Sequence, residues 1–131
     1  MPSDKRKLGD ICVTIAVKHL VKHKYKILGR NYLKKWGEID IIAKDGVSRP
    51  HTIHFIEVKG KVSRESTISS YRPEENVHPW KLKRLWRAIQ TWLAENKVPD
   101  DVEWQIDVMA VILDEVRRKA KIRWTKNIII G

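Results

Sequence analysis

The period of hydrophobic and polar positions changes several times along this chain, and each change marks an element boundary. Over about residues 8–23, Ile11, Ile15, Ala16, Leu20 and Val21 recur at helical spacing and leave Lys18, Lys22 and Lys24 for the wet side. Three strand-like segments follow, at about 25–33, 38–43 and 52–61. The second ends at the turn signal Asp45-Gly46, and the third is rich in Ile, Phe and Val. The polar stretch 63–76 contains Pro73 and reads as a long loop. A second helix is expected over about 79–96, where Leu82, Leu85, Trp86, Ile89 and Leu93 form a stripe and Pro79 sits where a first turn tolerates it. Val98-Pro99-Asp100-Asp101 breaks that helix, and two further strands follow at about 103–113 and 121–129. The order αβββαββ predicts a mixed α/β sheet flanked by helices, not alternating βαβ units.

Size and composition narrow the picture. The 131 residues fit a single domain spanning 1–131, with no linker-like stretch, repeat or low-complexity tract. The lone cysteine, Cys12, excludes an internal disulfide and any Cys-x-x-Cys zinc site. No run approaches the roughly 18 apolar residues a membrane span needs. The polar first ten residues lack the pattern of a secretory signal. A cytoplasmic protein with no membrane partner is expected.

Charge points to a partner. Lys and Arg number 27 against 16 Asp and Glu, giving a formal charge of +11. Such an excess attracts polyanions, and nucleic acid is the commonest. An ordinary solvated basic surface would give the same totals.

With so many bases, an acid inside an apolar strand needs a reason. Asp40 lies in Ile39-Asp40-Ile41-Ile42 and Glu57 in Phe55-Ile56-Glu57-Val58. Strand alternation puts Glu57 and Lys59 on one face, and residues 38, 40 and 42 on one face of the preceding strand. If those strands are neighbours, Asp40 and Glu57 come within reach of one cation. Close buried carboxylates repel each other, and a divalent ion resolves the conflict. Oxygen ligands with room for water suit Mg2+ or Mn2+, which can activate water against a phosphodiester while Lys59 stabilises the developing charge. The plainer alternative is a pair of sheet-edge carboxylates matched by Lys59 and a neighbouring lysine.

The runs Tyr25-Lys26-Ile27-Leu28-Gly29-Arg30-Asn31-Tyr32, Trp36-Gly37-Glu38-Ile39-Asp40-Ile41-Ile42-Ala43 and Phe55-Ile56-Glu57-Val58-Lys59 together closely resemble the YraN family. Lys81, Arg84 and Leu85 resemble its Lys-x-x-Arg-Leu helix, and Gln105-Ile106-Asp107-Val108 its Arg-Phe-Asp-Val strand. These small bacterial proteins are assigned to the PD-(D/E)XK superfamily, with a core like that of Holliday-junction resolvases. The resemblance implies a restriction-endonuclease-like fold and a metal-dependent endonuclease acting on DNA rather than RNA, with branched or structured DNA in view. By position it makes Asp40 and Glu57 metal ligands and Lys59 the catalytic lysine; resolvase-like relatives often dimerise. Ile39 stands where the superfamily is named for proline. Aligning the first helix on Ala16 and Leu20 puts Cys12 and Val13 where the resembled proteins carry Gly-Glu. Val13 cannot bind a metal, and Asp10 lies one turn earlier on nearly the same face. A second reading is therefore a non-catalytic nucleic-acid-binding protein with an incomplete metal site. Glu38, Asp10 and Asp107 are accessory candidates, with Asp107 read as structural or supporting rather than as a metal ligand.

The second helix offers Lys81 and Arg84 on one face and Lys83 and Arg87 on another as phosphate contacts. Arg117-Arg118-Lys119 reads as a charged hairpin turn. Of the six tryptophans, Trp86 and Trp104 read as core, whereas Trp36, Trp80, Trp92 and Trp124 could be exposed enough to stack on unpaired bases. The histidines, His19 and His23 included, show no convincing ligand spacing.

Overall fold

The computed structural model describes residues 4–47, 51–64 and 79–128. Helix α1 (Asp4–Lys22) is followed by strands β1 (Tyr25–Lys34), β2 (Gly37–Asp45) and β3 (Ile53–Ser63). Helix α2 (Pro79–Glu95) then leads to β4 (Trp104–Asp114) and β5 (Lys119–Thr125). The sheet order is β1-β2-β3-β4-β5. Every neighbouring pair is antiparallel except β3 and β4, which run parallel. A parallel pair needs a long crossover, and the segment containing α2 supplies it. This is the expected αβββαββ order and a restriction-endonuclease-like mixed sheet.

Among the described residues, each face of the sheet is covered by one helix. On one side α1 buries Cys12, Val13, Ala16 and Leu20 against Ile41, Ala43, Ile56, Met109 and Val111. On the other, α2 buries Leu85, Ala88, Ile89 and Trp92 against Ile39, Ile42, Phe55 and Ile106. A strand covered on both faces needs no polar alternation, and residues 106–112 of β4 are buried without a break.

The buried stripe of α1 differs from the one read in the sequence. Ile11 is 51% exposed and Val21 55%, while Cys12 and Val13 lie inside. Apolar side chains occur nearly all round this helix, so periodicity alone picks its face poorly. Close packing decides it. A Cβ on Gly60 would stand 2.4 Å from Cys12 Sγ, so helix and strand meet there through small groups. In α2, Trp86 is 47% exposed and Trp92 takes the core place opposite Phe55, with ring centroids 5.5 Å apart. Strand β5 ends at Thr125, short of the expected residue 129. Most of the expected loop 63–76 lies outside the described residues.

The faces of β2 also depart from simple alternation. Ile39 and Ile42 share the α2 side, whereas Ile41 and Ala43 share the α1 side, so the phase changes around Asp40. Residues 38, 40 and 42 therefore do not form one continuous face. The register pairs Arg30 with Ile41 and Tyr32 with Ile39, which sets Asn31 opposite Asp40. Asn31 has φ 53°, a left-handed backbone that asparagine tolerates better than most residues. The irregularity spans both strands at the same level.

Candidate active site

The β2–β3 ladder runs from Lys44↔Ile53 to Ile41↔Ile56. Asp40 and Glu57 come next, and there a side chain replaces the ladder. The backbone N–H of Val58 donates to Asp40 Oδ2 at 2.8 Å. Beyond this point the strands are no longer paired, and a cleft of about 490 Å3 opens between them. Asp40 and Glu57 line it together with Glu38; Asp10 and Val13 contribute from α1, Lys81 and Arg84 from α2.

Strand alternation brings Lys59 back beside Glu57, its Nζ 3.8 Å from Glu57 Oε1. Lys81 reaches the same oxygen at 2.6 Å from the first turns of α2. Glu57 is buried, with the ammonium groups of Lys59 and Lys81 beside its carboxylate. Burial and then the charge of Glu57 push Asp40 up to about 7, despite the opposing hydrogen bond from Val58; Glu38 adds to the rise. Burial, then the neighbouring Lys81 ammonium, lowers Lys59. Burial opposes the charge on Lys81 as well, but the attraction of Glu57 outweighs it and holds that ammonium above its ordinary value.

Two crowded carboxyls, one of them pushed up to about 7, make a donor set that suits a hard divalent cation. Among the described residues no group of three or more His, Cys, Asp or Glu is placed to hold a metal. Magnesium is commonly held by one or two carboxylates and keeps several waters, so Asp40 and Glu57 fit that ion with water completing its shell. Val13 is only 5% exposed and presents a methyl-bearing wall to the cleft, while the exposed Asp10 lies on the same wall.

The remaining predicted residues divide between cleft and surface. Arg84 lines the cleft, stacks 5.1 Å over the Trp80 ring and donates from Nε to Trp36 O at 3.2 Å. Lys83 and Arg87 are exposed, and Arg87 lies 5.1 Å over the Trp36 ring. Asp107 is fully buried among residues of the α1 side. Its carboxylate accepts from His54 Nδ1 (2.6 Å), Gln105 Nε2 (2.8 Å), Trp124 Nε1 (2.9 Å) and Asn127 N (2.8 Å). Asp107 is not among the residues that line the cleft. The Arg117-Arg118-Lys119 turn joins β4 to β5, with Asp114 Oδ1 accepting from the backbone N–H groups of Val116 and Arg117.

Two features had no clear signal in the sequence. The Lys81–Glu57 contact joins residues far apart in the chain, and only the Lys-x-x-Arg-Leu match drew attention to Lys81. The left-handed Asn31 opposite Asp40 depends on strand register, which periodicity does not supply.

Residues 14–111 match the model of a family described as "Uncharacterised protein family UPF0102". A UPF0102 protein of Geotalea daltonii is 38% identical over 110 residues, covering 84% of this chain and 80% of that protein. One from Geotalea uraniireducens gives the same identity and coverage. A UPF0102 protein of Campylobacter hominis is 31% identical over 122 residues, or 93% of each chain. Among the described residues no helix is long and apolar enough to cross a membrane.

Proposed function

Because the chain belongs to the uncharacterised protein family UPF0102, the YraN family its motifs resemble, we propose that its cleft is the site of a metal-dependent endonuclease acting on DNA. The observation that carries this reading is the half-buried Asp40 crowded against the buried Glu57 at the point where the β2–β3 ladder gives way to a cleft. Ion pairs that only stabilise a sheet do not need two crowded acids, one of them pushed up to about 7.

Asp40 and Glu57 would hold Mg2+ or Mn2+. Bound there, the ion would supply Lewis-acid polarisation and a water of lowered pKa. Lys59, partly buried and beside Glu57, would stabilise the charge that builds on a phosphodiester under attack. Lys81 and Arg84 present cationic donors on the α2 wall of the cleft, where phosphate oxygens would be held and the strand oriented. Lys83 and Arg87 extend the basic surface away from it. The excess of 27 basic over 16 acidic residues favours approach of the polyanion.

Incubation with linear and branched DNA, with and without Mg2+ or Mn2+, tests the proposal. Cleavage should require the ion and disappear in Asp40→Asn and Lys59→Ala. Absence of cleavage, or cleavage that persists in both variants, would sink it.

The buried Val13 in the cleft wall favours a second reading, a nucleic-acid-binding protein on the same fold without turnover. Its signature is salt-sensitive binding that neither needs nor responds to divalent ions.

A further inference from the structure

We propose that one flank of α2, carrying Trp80, Arg84 and Arg87, joins Trp36 of the β1–β2 turn to form a platform for an unpaired stretch of nucleic acid. The proposal names the substrate form for the cleft described above and rests on the nucleic-acid reading of it, but not on cleavage.

Residues 80, 84 and 87 fall on one side of a helix, seven positions spanning nearly two turns. That side carries one ring and two cations, and the β1–β2 turn brings up the half-buried Trp36 ring beside them. Arg84 lies 5.1 Å over Trp80, donates to the backbone oxygen of Trp36, and is followed by Arg87, 5.1 Å over the Trp36 ring. The turn is held firmly against the helix. Trp36 Nε1 donates to Thr91 Oγ1 at 3.1 Å, and a Cβ on Gly37 would come 2.3 Å from Arg84 O. The rings and guanidinium groups are thus set in place before any partner arrives, and less ordering is needed on binding.

This surface meets solvent. Trp80 is 62% exposed and its neighbours Lys83, Arg84 and Arg87 are exposed too. A guanidinium stacked on an indole keeps its N–H donors in the plane of the stack, where phosphate oxygens can reach them. Exposed indole surface suits a base that has left its helix, because bases in duplex already stack on each other. A duplex would find only the charges. Arg84 also lines the cleft, so the platform is continuous with Asp40 and Glu57. A strand lying on Trp80 and Trp36 would bring a junction between paired and unpaired segments to the acids.

Fluorescence anisotropy in EDTA tests this without cleavage, using labelled oligothymidylate, a blunt duplex and the same duplex with a single-stranded tail. The wild-type protein should prefer the single strand and the tailed duplex. Trp80→Ala should weaken both by roughly tenfold, the scale of one base–aromatic stack, and leave the blunt duplex nearly unchanged. Trp80→Phe should restore most of the loss, and circular dichroism should show both variants folded. Arg118→Gln, in the β4–β5 turn, should lower all three affinities alike. Absence of the preference in the wild type, equal losses on all three ligands in Trp80→Ala, or no loss at all would overturn the proposal. Asp40→Asn should retain the preference, so a failure of cleavage and a failure of the platform are read separately.

Discussion

The backbone N–H of Val58 donates to Asp40 Oδ2 across 2.8 Å, so a carboxylate takes the place of a ladder bond where β2 and β3 part. One side chain therefore has two duties. It satisfies a backbone donor at the splay, and it is one half of the candidate ligand pair. Asparagine keeps an oxygen for the first duty and loses the charge needed for the second; alanine loses both and orphans the donor, a change that costs about 1–3 kcal/mol.

Asp40 gives stability a pH dependence of defined sign. Its folded value of about 7 lies above its ordinary 3.8, so its contribution is full below about pH 4 and is lost as pH rises through 7. Metal-free protein should lose stability over that range, and Asp40→Asn should flatten the curve. Above pH 7 the variant should be the more stable by on the order of 2–4 kcal/mol. Urea denaturation at several pH values in EDTA measures this; a variant less stable than wild type at pH 8 contradicts it.

Lys81 competes with any cation for Glu57, because its Nζ already lies 2.6 Å from Oε1. Lys81→Met should tighten Mn2+ binding by roughly tenfold, equivalent to about 1.4 kcal/mol of relieved repulsion and competition. Calorimetric titration reads the affinity directly. Lys83→Met, a charge removed from an exposed position on the same helix, should change it little. Equal affinities in wild type and Lys81→Met would mean that the ammonium does not guard the site.

The extent to which the sequence revealed this architecture follows from the range of each signal. Local periodicity locates the two helices and five strands of the described residues, because 3.6 and 2 are properties of neighbouring residues. The chemistry of Asp40 and Glu57 was legible because an acid amid isoleucines is anomalous wherever the strand goes. The α1 face was misread because Ile11 and Val21 are as apolar as Cys12 and Val13; the choice was made by the space beside Gly60 on another strand. Trp86 and Trp92 exchanged places for a similar reason. Both fit an amphipathic stripe, and contact with Phe55 selected Trp92. The phase change at Asp40 lies at the level of the left-handed Asn31 on the neighbouring strand, a relationship that a single strand cannot announce.

Asp107 should act on stability in the opposite direction from Asp40. Burial alone would raise it, but hydrogen bonds from His54, Asn127, Gln105 and Trp124 hold it below its ordinary 3.8. Its stabilising contribution is therefore full above about pH 4 and is lost as pH falls through its folded value. Asp107→Asn presents an NH2 to groups that are themselves donors, and about 3 kcal/mol of stability should be lost at neutral pH. The variant should also lose part of the wild-type acid transition. Thermal melts at pH 7 and pH 3 check both statements. A smaller penalty at pH 7 than at pH 3 would refute the sign.

Val13→Glu asks whether the wall of α1 is close enough to complete a metal shell. Val13 is buried and lines the cleft with Asp40 and Glu57, so a glutamate there adds a third carboxylate beside a pair that is already crowded. Without an ion the variant should be destabilised by about 2–4 kcal/mol, the usual result of burying an unpaired acid. With an ion the same carboxylate becomes a ligand. Mn2+ should then raise the melting temperature of Val13→Glu more than that of wild type, and EDTA should reverse the gain. Any DNA cleavage should increase in parallel. Equal Mn2+ shifts in the two proteins would show that the new side chain does not reach the ion. The donors beyond Asp40 and Glu57 would then be assigned to water, or to the exposed Asp10 one helical turn away.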